Sequence, residues 1–457
     1  MNKTKKVNLN KIYDLIIIGG GISGLYTLYK LSKKYPQMKI MLLESEERFG
    51  GRIYTFKETI DNTEYIMNLG AGRLGFHHIL INQLIKELNL FKKIIEIPNS
   101  KVYIEVNNLD GGVKDQTKMK DYIMRKLYTF FNSTKITKLG KYLQKMYLID
   151  LITTYFGSHF SEKVLSIFEY SSDLTKFNAY DAIEYFKYDY HTNSKFFTLG
   201  GGLGEIIDNL LLSIKKTVSY RRSNIKIANL SYVDNITYKN NLFNVNVKNL
   251  KNDYTIYSKY IICALPGDSL KKFDIFKPFL KDLNSINNIN LLRIYEIYDK
   301  ENGKMWFENI QKTITNNEVQ FIIPVNSDNG LIMSSYSDCE NANYWKIMET
   351  KKGIDYLKEK LNKKLNEIFS IYNIKIPKSK YIKTYFWEAG VAYWKKNVDS
   401  EYLSEKLLNP LPHLYIIGEN YSKYQAWCEG ALMTSEKCIE KLSKELNYSN
   451  KTKKTNK

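Results

Sequence analysis

The sequence has little that would build a metal centre, a disulfide framework or a membrane anchor. Its five histidines form no HExxH pair or other ligand-spaced cluster, so no metal is expected. The four cysteines, Cys263, Cys339, Cys428 and Cys438, lack CxxC spacing, the pattern of free thiols in a reducing compartment. No run of about 20 uninterrupted apolar residues marks a membrane span. The first residues are basic and polar, and the apolar run after them ends in glycines rather than a cleavage site. Solenoid-period repeats and long Pro- or Gly-rich linkers are also missing. These absences predict a soluble, cytoplasmic protein with no membrane anchor.

Acid is scarce beside base: 48 Asp and Glu against 68 Lys and Arg, a net charge of +20. Such a balance suits nucleic acid, an anionic surface or acidic substrates. The lysines are dispersed, however, and concentrate only in two basic tails, 1–9 and 446–457. Lys, Asn, Ile and Tyr are abundant together, with 37 tyrosines, as an AT-rich genome encodes. Nucleic acid is therefore not the expected partner, and steeply salt-dependent binding would be needed to restore it. With 457 residues, 44% of them apolar, the chain has room for two or three lobes and a sizeable core.

What is present begins at Asp14-Leu-Ile-Ile-Ile-Gly19-Gly20-Gly21-Ile-Ser-Gly24. Residues 13–18 read as a buried parallel strand, 22–34 as a helix, Pro36 as a stop and 39–43 as a second strand. This βαβ unit answers the needs of a bound dinucleotide. Gly19 permits the tight turn, Gly21 lets backbone approach a pyrophosphate, and Gly24 lets helix pack on sheet. The helix N-terminus presents N–H groups and a partial positive charge to phosphates. Glu44 ends the next strand, where an acid accepts from ribose hydroxyls and disfavours a 2′-phosphate.

Downstream, 79–88 reads as an amphipathic helix followed by short strands, and 111–195, free of proline, as mostly helical. Gly200-Gly201-Gly202 opens a helix over 204–214. Residues 225–247 alternate like a hairpin and 260–265 form a buried strand. Strands at 291–298 and 319–323 surround a helix near Leu357, Leu361 and Leu365. A last strand, 414–417, precedes a closing helix from Gly430.

Three blocks in this order resemble the flavin-containing amine oxidase family, which includes monoamine, polyamine and L-amino-acid oxidases. They are Glu44-Ser-Glu-Glu-Arg48-Phe-Gly50-Gly51-Arg52, Asn68-Leu-Gly70-Ala71-Gly72-Arg73, and Leu414-Tyr-Ile-Ile-Gly418-Glu419 with Trp427-Cys-Glu429-Gly430-Ala431. The resemblance implies an α/β fold: an FAD-binding Rossmann-like (GR2-type) domain with an interleaved α+β substrate domain and a helical insertion. The FAD-binding domain is expected from 10–75, 196–275 and 405–445, the substrate domain from 76–110 and 276–404, and the helical subdomain from 111–195. FAD contacts are expected from Gly19, Gly21, Gly24, Glu44, Arg48, Gly51, Arg52, Gly72, Arg73, Val233, Gly418, Glu419, Glu429 and Ala431. Val233 would meet the adenine through its backbone, although an ordinary strand residue fits equally. The helix opening at Gly430-Ala431 would aim its positive end at the flavin and favour the reduced anionic ring.

The implied reaction is hydride transfer from the carbon beside an amine to the flavin, with O2 as acceptor and hydrogen peroxide as product. Trp427 and Tyr393 match the two aromatic side chains that stand beside the flavin, and both could instead be core aromatics. Ala392 stands where covalent-flavin relatives carry cysteine, so noncovalent FAD is expected. Arg73 resembles the arginine that holds an amino acid's carboxylate through its planar fork; contact with flavin or another loop stays open. Arg293 replaces the lysine usually water-bridged to the flavin's reactive nitrogen, and it keeps charge but cannot release a proton. Arg293, Tyr393 and Trp427 are thus the candidate catalytic residues. Arg73, Tyr393 and Trp427 are the candidates for binding a small amine or amino acid. A flavin dehydrogenase or desaturase acting on a hydrophobic substrate and a catalytically lapsed FAD scaffold remain alternatives. The sequence leaves a homodimer open.

Overall fold

The computed structural model describes residues 12–106, 112–189, 194–221, 224–250 and 252–455. The expected basic tail at 1–9 lies outside them.

A seven-stranded sheet gathers segments from both ends and the middle of the chain. Its order is Ile225–Ala228, Ile40–Leu43, Ile12–Ile18, Tyr254–Cys263, Leu242–Asn249 and Ser231–Lys239, with Leu414–Ile416 also on Tyr254–Cys263. The first four and the last of these are parallel. Parallel strands are covered on both faces, and two cores follow from the alternation of side chains. Leu15 and Ile17 pack with Leu25, Leu28 and Leu31 of the Ile22–Lys34 helix. Ile16 and Ile18 pack with Val233, Val245 and Val247 on the other face.

The hairpin expected over 225–247 is divided. Ile225–Ala228 lies parallel to Ile40–Leu43 at the sheet edge, and the hairpin is Ser231–Lys239 with Leu242–Asn249. Its turn falls at Asn240 and Asn241, both left-handed at φ 55° and 59°, as a two-residue turn that matches strand twist requires. The closing helix runs Cys428–Thr455, so it starts before Gly430 and takes in most of the expected C-terminal tail.

A second seven-stranded sheet has the order Tyr381–Trp394, Ile286–Ile297, Leu331–Asp338, Phe321–Asn326, Lys312–Thr315, Lys101–Val106 and Val113–Asp115. One face packs Leu292, Ile294 and Ile332 against Leu357, Leu361 and Leu365 of the Ile354–Phe369 helix. The other packs Ile289, Ile314 and Phe321 against Ile123, Leu127, Phe131 and Phe186 of the helices between Thr117 and Asp189. The strand foreseen at 319–323 begins later because Gln320 turns left-handed at φ 59°.

The Ile79–Glu87 helix buries Ile81, Leu84 and Ile85 in the core of the first sheet. Ile94–Ile97 pairs with Phe196–Leu199. The Ile79–Glu87 helix thus packs on the first sheet, while Ile94–Ile97 lies in a separate three-stranded sheet with Phe196–Leu199 and Leu74–Gly75.

Candidate active site

The strand Ile12–Ile18 ends in a turn that only glycine completes. Gly19 has φ 106°, and a Cβ there would stand 2.4 Å from the Ala264 carbonyl oxygen. A Cβ at Gly24 would stand 2.0 Å from the Gly19 carbonyl oxygen, so the helix and turn touch backbone to backbone. Gly21 differs. Its φ of −70° suits any residue, yet nothing lies within 4 Å of where its Cβ would be. The helix it opens has no capping side chain and no acid in its first turn. An open space before uncapped N–H groups is a cradle for a phosphate.

Glu44 is buried beside this turn. It accepts from the Gly20 N–H (2.7 Å) and the Glu46 N–H (2.9 Å), which fixes its carboxylate and leaves acceptor capacity. The Leu230 N–H and Ser231 N–H bond to the carbonyls of Glu46 and Glu44. Val233 follows at once, with a bulge between it and Asn235, so its backbone lies at the Glu44 end of the sheet.

Gly50 and Gly51 both have positive φ, and the Gly50 N–H bonds to the Gly20 carbonyl. Arg52 then ties three segments: Nη1 donates to Glu419 (2.8 Å) and to the Gly390 carbonyl (3.2 Å), and Nη2 to Asn420 (3.0 Å). Glu419 also accepts from the Ala392 N–H and the Ala426 N–H. Gly418, at φ 133°, donates to Thr434, and Ala431 is buried in the adjoining core. Arg48 stacks on Tyr54 at 4.2 Å, and its Nη1 is buried without a partner.

Glu429 makes a structural contact of its own. Its two oxygens accept from the Leu80 and Ile81 N–H groups at 2.9 and 3.0 Å, capping the Ile79–Glu87 helix.

Arg293 is brought against the turn that contains Gly72. A Cβ on Gly72 would lie 2.7 Å from its Nη1. That nitrogen donates to the Asn68 carbonyl at 2.6 Å, and Tyr295 donates to the same oxygen at 2.8 Å. The guanidinium also covers the Tyr336 ring at 4.6 Å. The long strand carrying Arg293 and the turn over 68–73 are thereby locked together.

Arg73 and Trp427 meet. Arg73 lies over the Phe196 ring at 4.6 Å and the Trp427 ring at 5.5 Å, and those two rings stack at 5.7 Å. The Trp427 indole N–H donates to Asp189 at 2.5 Å, while His77 Nε2 lies 3.2 Å from the same carboxylate. Burial pushes the Asp189 carboxyl up, but His77, His78 and the indole outweigh it and hold it below its usual range. Sequence spacing gave no hint of this cluster, because Asp189 and Trp427 are 238 residues apart.

His77, His78 and Asp189 put ligand-type atoms within 4.8 Å of one another. The Gly75 N–H, however, donates to His78 Nδ1 at 3.0 Å, so Nδ1 accepts rather than donates. A metal-bound histidine has the reverse arrangement.

Tyr393 is placed elsewhere than beside Trp427. Its ring stacks on Phe177 at 5.3 Å and its hydroxyl accepts from Asn287 at 3.0 Å. It packs in the core between the second sheet and the helices. Tyr170, Tyr185, Tyr336 and Lys312, on that same side, keep partial exposure although burial drives the Tyr170 and Tyr185 hydroxyls well above their usual range. Arg73 acts electrostatically on Tyr170, Tyr185 and Lys312.

Residues 17–83 match the family model of the NAD(P)-binding Rossmann-like domain. The "Probable flavin-containing monoamine oxidase A" of Dictyostelium discoideum is 32% identical over 129 residues, 25% of this chain and 27% of that protein. The L-amino-acid oxidase of Mus musculus is 28% identical over 127 residues, 28% of this chain and 18% of that protein. The chain thus aligns with about a quarter or less of these relatives' length. Among solved structures, wild-type putrescine oxidase bound to putrescine superposes with a TM-score of 0.71 over 94% of this chain and 99% of that one, at 13% identity. A protein of Exiguobacterium sp. 255-15, provisionally named a protoporphyrinogen oxidase, gives 0.70 over 95% and 99%, at 14% identity. Residues 17–83 thus carry an NAD(P)-binding Rossmann-like domain, and the chain has the fold seen in putrescine oxidase.

Proposed function

We propose that this chain is an FAD-dependent oxidase of small primary amines or L-amino acids, with O2 as electron acceptor. The observation that carries this reading is the pairing of two features. One is the glycine cradle before an uncapped helix, with the unpartnered Arg48 nitrogen buried nearby. The other is Arg73 laid over the stacked Phe196 and Trp427 rings. The cradle fits a dinucleotide pyrophosphate: Gly21 leaves room, Glu44 suits ribose hydroxyls, and Arg48 and Gly51 lie on the facing turn. Ala392 offers no side-chain nucleophile and gives its N–H to Glu419, so FAD is held noncovalently.

When bound, FAD supplies the hydride acceptor. The chain's own residues bind and orient. Arg73 takes the substrate carboxylate through its fork, and Trp427 gives an aromatic face to the amine. Arg293 holds a fixed positive charge at Gly72 and moves no proton. Arg73 beside Trp427 favours a charged, polar substrate over the hydrophobic one of the dehydrogenase alternative.

Anaerobic mixing of purified holoenzyme with amines, polyamines and L-amino acids tests the proposal. Amino acids are expected to bleach the flavin, and Arg73→Ala to weaken that reduction at least about 100-fold, the loss of a bidentate ion pair of ~3 kcal/mol. A flavin that no member of the panel reduces would refute it.

A further inference from the structure

We propose that a pocket at the edge of the second sheet, lined by Glu388, Phe386 and three asparagines, binds a small organic cation through a primary ammonium group. The site lies apart from Arg73 and Trp427 and stands without the oxidase reading.

The pocket grows out of an irregularity in strand pairing. Tyr381–Trp394 is the edge strand and runs antiparallel to Ile286–Ile297. Leu292 lies opposite Phe386 and Leu291 opposite Trp387, but Ile289 lies opposite Val391. Asn290 alone therefore faces residues 388–390. Such a bulge parts the ladder, bends its strand and re-aims the side chains it carries. Asn288, Asn290 and Leu292 share one face of their strand, and Phe386 and Glu388 share one face of theirs. The pairing of Leu292 with Phe386 sets both faces on the same side, where Asn343 arrives from the Cys339–Lys352 helix. Between them lies a pocket of about 390 Å³, a volume within the range of small-molecule sites. Arg293 has the opposite parity to Asn290, so the pocket lies on the other side of the sheet from it.

The lining selects the charge of its occupant. It contains no Lys, Arg or His, and its one ionisable group is the Glu388 carboxylate. Among the described residues that carboxylate has no hydrogen bond or ion pair. The Asn288 amide is occupied on both atoms, donating to Asp268 at 3.1 Å and accepting from Asn420 at 3.5 Å. Asn290 Nδ2 donates to Asn343, which leaves the Asn290 carbonyl oxygen to accept. Two carboxylate oxygens and one amide oxygen match the three N–H donors of an ammonium group. The bond to the carboxylate is of the stronger, charge-assisted kind. Phe386, partly buried on the same face, offers its ring to the charge or to the alkyl group beside it. An anion would be repelled by Glu388. A calcium ion takes about six to eight oxygens, more than this lining supplies.

The probe is tert-butylammonium, whose amine-bearing carbon holds no hydrogen, so a flavin cannot take a hydride from it. Its neutral counterpart is tert-butanol. Binding of each to the holoprotein is followed by saturation-transfer NMR at low ionic strength, where a charged contact is least screened. The cation is expected to bind saturably and at least about tenfold more tightly than the alcohol, the scale of one charge-assisted hydrogen bond. This preference should vanish in Glu388→Gln, a near-isosteric change at an exposed position, and shrink in Asn290→Ala. It should persist in Trp427→Phe, which alters the candidate active site. A cation that binds no better than the alcohol overturns the proposal, and so does a preference that Glu388→Gln leaves intact. A preference lost in Trp427→Phe but kept in Glu388→Gln would put the ammonium group at Trp427, in favour of the oxidase reading and against this pocket.

Discussion

Asp189 ends the Ala179–Asp189 helix, where the aligned peptide dipoles disfavour a carboxylate. It is nevertheless held ionised, because the Trp427 indole and His77 approach it directly and His78 turns Nε2 toward it at 3.9 Å, too far for a hydrogen bond but close enough to attract. The carboxylate therefore fixes the plane of the ring on which Arg73 lies. Asp189→Leu is expected to cost about 1.5–3 kcal/mol of stability, the value of hydrogen bonds to a charged group, and to slow flavin reduction while FAD stays bound. Asp189→Asn keeps an acceptor for the indole and should recover most of the rate. In a Trp427→Phe background neither substitution should change the rate further, and additive losses in that double-mutant cycle would show that Asp189 does not act through Trp427. None of this was legible in the sequence. Asp189, His77 and Trp427 carry no shared spacing, and their meeting is a product of tertiary packing. Arg73, by contrast, stood in a readable glycine turn. Tyr393 was readable only as an aromatic, and the register of its strand turns it to Phe177.

At the scale of the element, the glycines of the first turn separate folding from binding. Gly24→Ala drives a methyl group into the Gly19 carbonyl, an overpacking expected to cost about 1–3 kcal/mol and to lower the melting temperature of the apoprotein. Gly21→Ala meets no atom and needs no unusual φ, so the apoprotein should melt within about 0.5 kcal/mol of the original, as an unobstructed substitution does. Its methyl group occupies the phosphate cradle, and FAD affinity measured by titration should fall steeply. Unchanged FAD affinity in Gly21→Ala would place the pyrophosphate elsewhere. This element was the most legible part of the chain, because an unbroken apolar strand, glycines at fixed offsets and a periodic helix all agree locally. The Ile22–Lys34 helix has the expected bounds. Ile225–Ala228 was misjudged for the opposite reason: its four residues alternate like a hairpin arm, and only the distant Ile40–Leu43 edge decides where it pairs. Glu429 follows the same rule, since the helix it caps lies 349 residues away.

At the scale of the whole molecule, ion pairs between distant segments hold the parts in place. Arg52 and Glu419 join the two ends of the chain, and Glu169 joins the helices to Lys101 and Lys312 of the second sheet. The latter cluster has a pH dependence whose sign follows from its shifts. Burial raises Glu169, but Lys101, Lys120 and Lys312 override it and hold it well below 4.5, so its contribution is complete above about pH 4.5 and fades as pH falls toward its folded value. Lys120 and Lys312 have folded values near 8 and 7, below their ordinary 10.5. Between those limits the unfolded chain binds more protons, and stability gains from rising pH. Glu169→Gln leaves three ammonium groups without their counter-charge, a change expected to cost about 3–5 kcal/mol at neutral pH. The loss should shrink toward about pH 10, where both lysines are neutral in the folded protein. Denaturant unfolding of the two proteins across that range measures it. A loss that stays constant with pH would mean that the lysines do not carry excess charge.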